Sequence, residues 1–223
     1  MKRIELKDLV INQFTWDILD SNCYVLKEKG STLIVDPIDL DDFYRFIEYS
    51  DRALIILSHA HYDHICGLNK VREIIPNTTV LCSKSCSINI QDPKKNLSNI
   101  ANAMLAFHEK REQRNEVESF SCHAADMIYE KMLKVEWENH NLTLMEFHGH
   151  SPDSQIILFD EKLLFSGDTL LSNPTITRLP GGNRRAFYEE DIPRLEKLEV
   201  EKVLPGHGNV GRIQDMIKIN KQN

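Results

Sequence analysis

The chain has 223 residues and a formal net charge of -7 at pH 7, with 27 basic and 34 acidic side chains. This length fits one α/β domain whose core needs no disulfides. The acidic balance argues against nucleic acid or an anionic membrane as the main partner, because both select a basic surface. It favours a small-molecule substrate instead.

The N-terminal segment and the cysteines predict a cytoplasmic protein. Residues 1–16 contain basic residues but no apolar stretch typical of a signal peptide, and no segment is apolar enough to predict a membrane span. The five cysteines are scattered and odd in number, which indicates reduced thiols rather than a disulfide framework. Cys82 and Cys86 lie four residues apart, but no second pair complements them as in a zinc site.

Apolar runs rich in β-branched residues predict a β-rich opening segment, with strands at 9–16, 22–26, 31–36 and 53–58. A helix is predicted near 40–49. After the stretch "LSHAHYDHICGL" (57–68), the pattern predicts a helix that ends before Pro76 and a return strand at 78–82. This order is a βαβ unit that carries a histidine cluster in its βα loop, which is where α/β sheets place ligands.

Residues 84–134 differ from their flanks because they are rich in charge and poor in β-branched residues. Leu97, Ile100, Met104 and His108 recur at helical spacing, which predicts a helical insertion over about 84–134. From 142 the β-rich pattern resumes, followed by a helix near 187–198, a short strand at "KVLP" and a C-terminal helix. We therefore expect a single domain over 1–223 of the α/β class, a four-layer αββα sandwich with two sheets face to face and helices outside.

The histidine cluster places three imidazoles and one carboxylate directly after a buried strand, as His59, His61, Asp63 and His64. These groups are common ligands of zinc and related metals, and packing them together without an ion would leave their desolvation and mutual repulsion uncompensated. Residues 59 and 61 point the same way in an extended chain, whereas 63 and 64 face an adjacent site. The isolated histidines are expected to be ordinary core or surface residues: His108, His123 and His140.

Three further loops carry a histidine or an aspartate just after an apolar strand: "HGHSPDS" (148–154), "FSGDTLL" (165–171) and "LPGHG" (204–208). If all these strand ends share one edge of the sandwich, enough ligand-type side chains converge there for two metal ions. The candidate set is His59, His61, Asp63, His64, His150, Asp168 and His207.

The motif H-x-H-x-D-H, followed in order by these three loop motifs, resembles the metallo-β-lactamase superfamily over nearly the whole chain. The resemblance implies two divalent ions, with zinc expected and iron or manganese as alternatives. It implies His59, His61 and His150 on one ion, Asp63, His64 and His207 on the other, and Asp168 bridging both. His150 takes the ligand role rather than His148, because it occupies the histidine of the family's G-H-[ST] pattern.

Within the superfamily, "NCYVL", "DPKKNLS" and "RLPGGN" resemble the small bacterial relatives of glyoxalase II, the hydroxyacylglutathione hydrolases. The sequence departs from them after Asp36 and Pro37, where Ile38 replaces their usual glycine, and again at 175–178. Because the chain ends shortly after His207, we expect no helical domain of the kind that holds glutathione in the fuller enzymes.

The predicted activity is hydrolysis of a thioester, ester or lactone carbonyl. Two bound ions would lower the pKa of a bound water to ~7, and Asp63 and Asp168 would orient it. No G-x-S-x-G motif predicts a serine nucleophile, and the absence of an export signal disfavours a β-lactamase. Two alternatives stay open: a mononuclear iron enzyme that oxidises persulfides, and a non-catalytic member of the fold that binds a partner.

The helical insertion is predicted to cover the metal site and select the acyl or thioester substrate; the alternative is that it forms packing or dimer surface, and a homodimer is left open. Candidate contacts for an acyl chain are Ile100, Met104 and Phe107, and candidate contacts for an anionic group are Arg111 and Arg114. The second candidate for specificity is the loop over 178–185, with Arg178 and Arg184.

Overall fold

The computed structural model describes residues 1–6, 9–106 and 116–222. The first half of the chain contains the strands β1 (Lys2–Leu6), β2 (Leu9–Thr15), β3 (Asn22–Glu28), β4 (Ser31–Val35), β5 (Arg52–Ile56) and β6 (Thr78–Ser83). Its helices are α1 (Asp41–Ile47), α2 (Tyr62–Ile65), α3 (Leu68–Ile74), α4 (Lys84–Asn89) and α5 (Ala101–Leu105), with a 3-10 turn at Ser98–Ile100 before α5.

The second half begins with the strands β7 (Met127–Tyr129), β8 (Met132–Trp137), β9 (His140–Glu146), β10 (Gln155–Phe159) and β11 (Leu163–Gly167). A helical segment follows as α6 (Arg184–Ala186), a π-helical turn (Phe187–Asp191) and α7 (Ile192–Leu195). The chain then forms β12 (Lys202–Pro205) and α8 (Ile213–Lys221). No described helix has the length and apolar character needed to cross a membrane.

The described strands form two sheets. The larger sheet has the order β1-β2-β3-β4-β5-β6-β7, antiparallel from β1 to β4 and parallel from β4 to β7. The smaller sheet has the order β12-β11-β10-β9-β8, in which only β11 and β12 are parallel. Because α1 joins β4 to β5, and α2 and α3 join β5 to β6, both are crossovers between parallel strands.

The register of β3 and β4 shows how the layers are built. Leu26 pairs with Leu33, and both side chains face the smaller sheet, where Phe165 lies in the same core. The neighbouring pair, Val25 and Ile34, faces the helices of the opposite layer. Both faces of β3 and β4 are therefore buried, so their sequences are continuously apolar and do not alternate between apolar and polar residues.

The third apolar cluster lies between the smaller sheet and the C-terminal helices, with Ile156 and Leu164 against Ile192 and Met216. Helices thus cover the outer face of each sheet, and the predicted αββα sandwich is confirmed. The predicted βαβ unit around the histidine cluster is also present, as β5, α2, α3 and β6.

The predicted helical insertion over 84–134 is wrong at its C-terminal end. Helices occur there at 84–89 and 101–105, but β7 and β8 occupy 127–129 and 132–137. β8 is the edge strand of the smaller sheet and alternates exposed with partly buried residues, so its solvent face carries Lys134 and Glu136. The charge that suggested a helix belongs to the open face of a strand. β1, another edge strand, was not predicted.

Candidate metal centre

The seven candidate ligands come from four loops at one edge of the sandwich. His59, His61, Asp63 and His64 follow β5, and the last two lie in the short helix α2. The other three follow β9, β11 and β12, which belong to the smaller sheet: His150, Asp168 and His207. The structure brings all seven together, and we call them the metal edge.

One half of the metal edge consists of imidazoles only. Ligand atoms of His59, His61 and His150 lie within 4.8 Å of one another, and Nδ1 of His61 is 3.1 Å from Nε2 of His150. All three side chains are buried. Three imidazole nitrogens therefore lie close enough together to bind one metal ion, and this ligand set is suited to zinc or a related ion.

The other half combines one carboxylate with two imidazoles. In this group Nε2 of His207 lies 3.2 Å from Nε2 of His64 and 3.1 Å from Oδ2 of Asp63. Asp168 lies between the two halves, with Oδ1 3.5 Å from Nε2 of His64 and Oδ2 3.5 Å from Nε2 of His150. The arrangement matches the division into two triads with a carboxylate between them that the resemblance implies.

The outer nitrogens of these rings are fixed by hydrogen bonds. Nδ1 of His150 lies 2.7 Å from the carbonyl oxygen of Ile176, and Nδ1 of His207 lies 3.1 Å from that of Leu19. A carbonyl oxygen only accepts, so both Nδ1 atoms carry a proton, and Nε2 is in each ring the atom that would bind a metal ion. Such partners orient metal-binding imidazoles in known sites.

Asp36 fixes the ligands that follow β5. It accepts hydrogen bonds from the backbone NH of Ser58 at 2.6 Å and from Oγ of Ser58 at 2.6 Å, and its Oδ2 lies 3.1 Å from Nδ1 of His64. Oγ of Ser58 lies 3.0 Å from Nδ1 of His59. Because the serine hydroxyl donates to Asp36, it accepts from His59, and Nε2 of His59 is left with its lone pair.

Two buried atoms of the metal edge have no hydrogen-bond partner: Nε2 of His59 and Oδ1 of Asp168. Leaving a buried acceptor unpaired costs about 1–3 kcal/mol, so such atoms are rare without a reason. Both belong to one group whose ligand atoms lie within 4.8 Å, together with His64. A cation bound between them would satisfy both atoms, so the residues present fit a metal site.

The two halves of the metal edge differ in protonation. Burial lowers the pKa of His61 to about 3 and lowers that of His59 well below its usual value, and neighbouring imidazoles add to the effect. Both rings are therefore neutral at pH 7, the form that binds metal. Burial alone would lower the pKa of His64, but Asp63 and Asp168 outweigh it and raise the pKa well above its usual value. This half therefore pairs opposite charges.

Gly206 allows the smaller sheet to approach the larger one at the metal edge. A Cβ atom at this position would lie 2.2 Å from Oδ1 of Asp168 and 2.8 Å from Cε1 of His64. The backbone NH of Asn22 donates to the carbonyl oxygen of Gly206 at 2.7 Å, so the loop is also tied to β3. The glycine of "LPGHG" is thus required by close packing against two candidate ligands.

A cavity of about 500 Å³ opens beside the metal edge. Met104, a predicted substrate contact, lines it together with Leu97.

Arg178 and Arg184, two other predicted substrate contacts, do not line this cavity. Both are exposed, and the guanidinium of Arg184 lies 5.0 Å from the ring centre of Tyr188. Whether either arginine contacts a substrate stays a prediction. Three other predicted contacts lie outside the described residues, namely Phe107, Arg111 and Arg114, and Ile100 does not line the cavity.

His148 lies outside the metal edge, with its side chain half exposed and Nε2 3.7 Å from Oε2 of Glu146. Sequence reasoning did not identify Asp36 or Asp153 as positioning residues. Asp153 is buried and accepts from the backbone NH of Ala60 at 3.1 Å and from Oγ of Ser151 at 2.7 Å, so it joins the first and second ligand loops. The sequence does contain a signal for both residues. Asp36 follows a predicted strand in "IVDP", and Asp153 lies three residues after the ligand His150 in "HSPDS".

Comparison with known proteins relates part of this chain to one superfamily. Residues 16–101 match the model of the metallo-beta-lactamase superfamily. An uncharacterized protein of Mycobacterium tuberculosis (strain ATCC 25618 / H37Rv) is 26% identical over 215 residues, which cover 90% of this chain and 92% of that protein. The hydroxyacylglutathione hydrolase of Francisella philomiragia is 26% identical over 152 residues, which cover 67% of this chain and 47% of that enzyme.

A solved structure has the same fold over nearly the full length. The BLEG-1 B3 metallo-beta-lactamase superposes with a TM-score of 0.76 at 24% sequence identity, covering 94% of this chain and 97% of that one. At this identity the likeness concerns the fold alone.

Proposed function

Because the chain contains a metallo-beta-lactamase superfamily domain, we propose that it is a dinuclear metal-dependent hydrolase that acts on a thioester, ester or lactone carbonyl. The similarity to a hydroxyacylglutathione hydrolase supports hydrolysis in general. The single observation that carries the proposal is the metal edge, in which two compact triads of ligand-type side chains flank Asp168 and leave two buried acceptors unpaired.

The proposed ligand sets follow the two triads. His59, His61 and His150 would hold one divalent ion, and Asp63, His64 and His207 would hold the other, with Asp168 between them. We propose zinc, because tetrahedral sites with nitrogen and carboxylate ligands suit it, and treat iron and manganese as the alternatives. When bound, the ions supply Lewis acidity toward a carbonyl and lower the pKa of water toward neutrality.

The residues of the chain orient the reacting groups. Asp168 lies between the two triads with both carboxylate oxygens 3.5 Å from imidazole nitrogens, so it would orient the reacting groups from a position shared by both ligand sets. His64 and His207 hold the pKa of Asp63 well below its usual value although burial opposes its ionisation, so this carboxylate is charged at neutral pH. The hydrogen bonds from His150 to Ile176 and from His207 to Leu19 keep both imidazoles in one orientation.

Metal content and activity test this proposal together. We expect elemental analysis of protein expressed with added zinc to give close to two ions per chain, and a chelator to abolish hydrolysis of a thioester and lactone panel. His207→Ala should reduce the content to about one ion, whereas His123→Ala, at an exposed position outside the metal edge, should keep both. One ion in the wild type, unchanged in His207→Ala, contradicts the dinuclear proposal.

The mononuclear iron alternative is distinguished by the same preparation. Oxygen uptake with a persulfide substrate, together with one iron per chain, would identify that activity. The second triad supports the dinuclear proposal, since the ligand atoms of Asp63, His64 and His207 also lie within 4.8 Å of one another. A chain that binds both ions but hydrolyses nothing on the panel would support the binding-protein alternative instead.

A further inference from the structure

The cavity beside the metal edge is bordered on its other side by aliphatic side chains. We call these residues the apolar wall: Leu19, Leu97, Met104, Leu171, Ile176 and Leu179. They come from three stretches of the chain, around 19, over 97–104 and over 171–179, and the ligands His61, Asp63, His150, Asp168 and His207 line the same cavity. A substrate whose carbonyl lies at the metal edge therefore extends the rest of its structure along an aliphatic surface.

The charges around this cavity disfavour a second anionic group on the substrate. Among the described residues that line it, none is a lysine or an arginine, and the one carboxylate outside the metal edge is Asp20. An anionic group placed along the apolar wall would lose part of its hydration without gaining a cationic partner among these residues, which is unfavourable. The wall therefore discriminates against charge as well as accommodating apolar surface.

Leu97, one residue of the wall, is held in a strained backbone conformation. Its φ of 65° is in the left-handed region, which is unfavourable for a leucine. The flanking residues fix it: Tyr62 NH donates to the carbonyl oxygen of Asn96 at 2.9 Å, and Asn96 Nδ2 and Ser98 Oγ donate to the carbonyl oxygen of Phe120 at 2.9 and 3.0 Å. The side chain is thus positioned before any substrate binds.

The wall and the metal edge share backbone groups. The carbonyl oxygens of Leu19 and Ile176, whose side chains belong to the wall, accept the hydrogen bonds that orient His207 and His150. These two hydrogen bonds therefore link the position of the apolar wall to the orientation of His207 and His150.

Resting on the proposed function, we propose that the substrate carries an uncharged aliphatic acyl chain, which lies along the apolar wall while its carbonyl lies at the metal edge. Each methylene that becomes fully buried contributes about a fourfold gain in binding. The wall is partly solvated, since Ile176 is 55% exposed, so the gain per methylene is smaller than this limit.

A chain-length series tests the proposal directly. The substrates are straight-chain acyl thioesters of N-acetylcysteamine from acetyl to octanoyl, whose leaving group is neutral and constant. We expect kcat/KM to rise about 20-fold or more from butanoyl to octanoyl, and the glutaryl thioester to be poorer than the hexanoyl thioester. A flat or falling series, or a preference for glutaryl, overturns the proposal.

Two variants locate the selectivity. Met104→Ala should reduce the rise from butanoyl to octanoyl at least twofold, because it removes part of the wall. Ile176→Lys should raise the glutaryl to hexanoyl ratio of kcat/KM about fivefold by supplying a partly exposed cationic partner. The matched control is Ile88→Lys, an isoleucine that is 49% exposed and does not line the cavity; it should leave the ratio unchanged. Equal effects of the two lysines contradict the assignment.

Arg111 and Arg114, which lie outside the described residues, are included in the test through their substitution by alanine. If the wild type prefers glutaryl and Arg111→Ala with Arg114→Ala removes that preference, the substrate is anionic and the proposal is wrong. Metal content is measured for every variant, and it should stay at the wild-type value. Failure to hydrolyse any thioester refutes the proposed function, whereas hydrolysis without chain-length dependence refutes only the acyl-chain proposal.

Discussion

The metal edge and the apolar wall border the same cavity but differ in burial and bonding. In the metal edge every side chain except His207 is buried, and the rings are fixed by hydrogen bonds that they donate to Asp36, Ser58, Leu19 and Ile176. In the apolar wall only Leu97 and Leu171 are buried, and the other side chains are partly or largely exposed. The part of the site to which we assign the chemistry is therefore held by many directional bonds, whereas the part to which we assign substrate selection consists of a few aliphatic side chains.

The two histidines of "HGH" provide the sharpest test of this difference. His150→Ala should lose the ion of the first triad and most of the activity, because it removes one of three imidazole donors. His148→Ala is the matched control and should keep both ions, since its ring is half exposed beside Glu146. Elemental analysis and kcat/KM for a thioester check both expectations. The reverse result would place the ligand two residues earlier in the loop.

Gly206→Ala should disrupt the metal edge without changing any ligand. The added Cβ would clash with Asp168 Oδ1 and His64 Cε1, so the loop or both ligands must move. We expect metal affinity to fall by more than ~100-fold, measured by competition with a coloured chelator. Gly211→Ala is the control, because its nearest contact is the flexible end of Met216 at 3.1 Å. Equal affinity in both variants contradicts the packing argument.

Asp36→Asn tests the support behind the ligands. An amide cannot accept from Ser58 NH, Ser58 Oγ and His64 at once, so His59 and His64 lose their fixed orientation. Loss of such a partner weakens metal binding about 10- to 100-fold in known sites. The cobalt-substituted protein should also show a changed visible spectrum. Asp39→Asn, at an exposed carboxylate three residues on, should leave both measurements unchanged.

The smallest expected effect concerns Asp191, which tethers the loop of His150. Burial raises the pKa of Asp191 to about 6, while the NH of Gly149, Arg194 and His148 oppose the rise. Between an unfolded pKa of ~3.9 and about 6 the folded state binds more protons than the unfolded state, so this group makes the free energy of unfolding fall as pH rises, by at most about 3 kcal/mol.

Urea unfolding at pH 4.5 and pH 7 checks this contribution. Asp191→Asn should show a smaller fall, or a larger rise, in the free energy of unfolding between the two pH values than the wild type. An identical pH dependence in both proteins would contradict a raised pKa at Asp191. Because other carboxylates act in both proteins, only the difference between them reports on this residue.

The metal edge could be predicted from the sequence because each ligand follows a strand directly. Strands that end at one edge of a sandwich bring such residues together regardless of their separation along the chain, as with His64 and His207. Asp36 also follows a strand, but its role depends on its φ of 56° and on contacts with Ser58, which no local pattern indicates.

The apolar wall was predictable only in part. Met104 was predicted from its helical spacing and does line the cavity, whereas Ile176 and Leu179 lie in an irregular loop without any periodic pattern. The segment of β8 was predicted to be helical because its charged residues are also typical of a surface helix. Pairing with β9 outweighs this local preference and makes the segment a strand. Whether residues 84–134 select the substrate or form an interface stays a prediction.

The origin of the ligands in both sheets has a consequence for folding. His59 and His61 belong to the larger sheet and His150 to the smaller one, so an ion held by all three is a cross-link between the two halves of the molecule. Free ion at 1,000 times its dissociation constant would stabilise the folded state by about 4 kcal/mol. The supply of metal would then set the lifetime of the folded chain as well as its activity, and depletion would expose it to proteolysis.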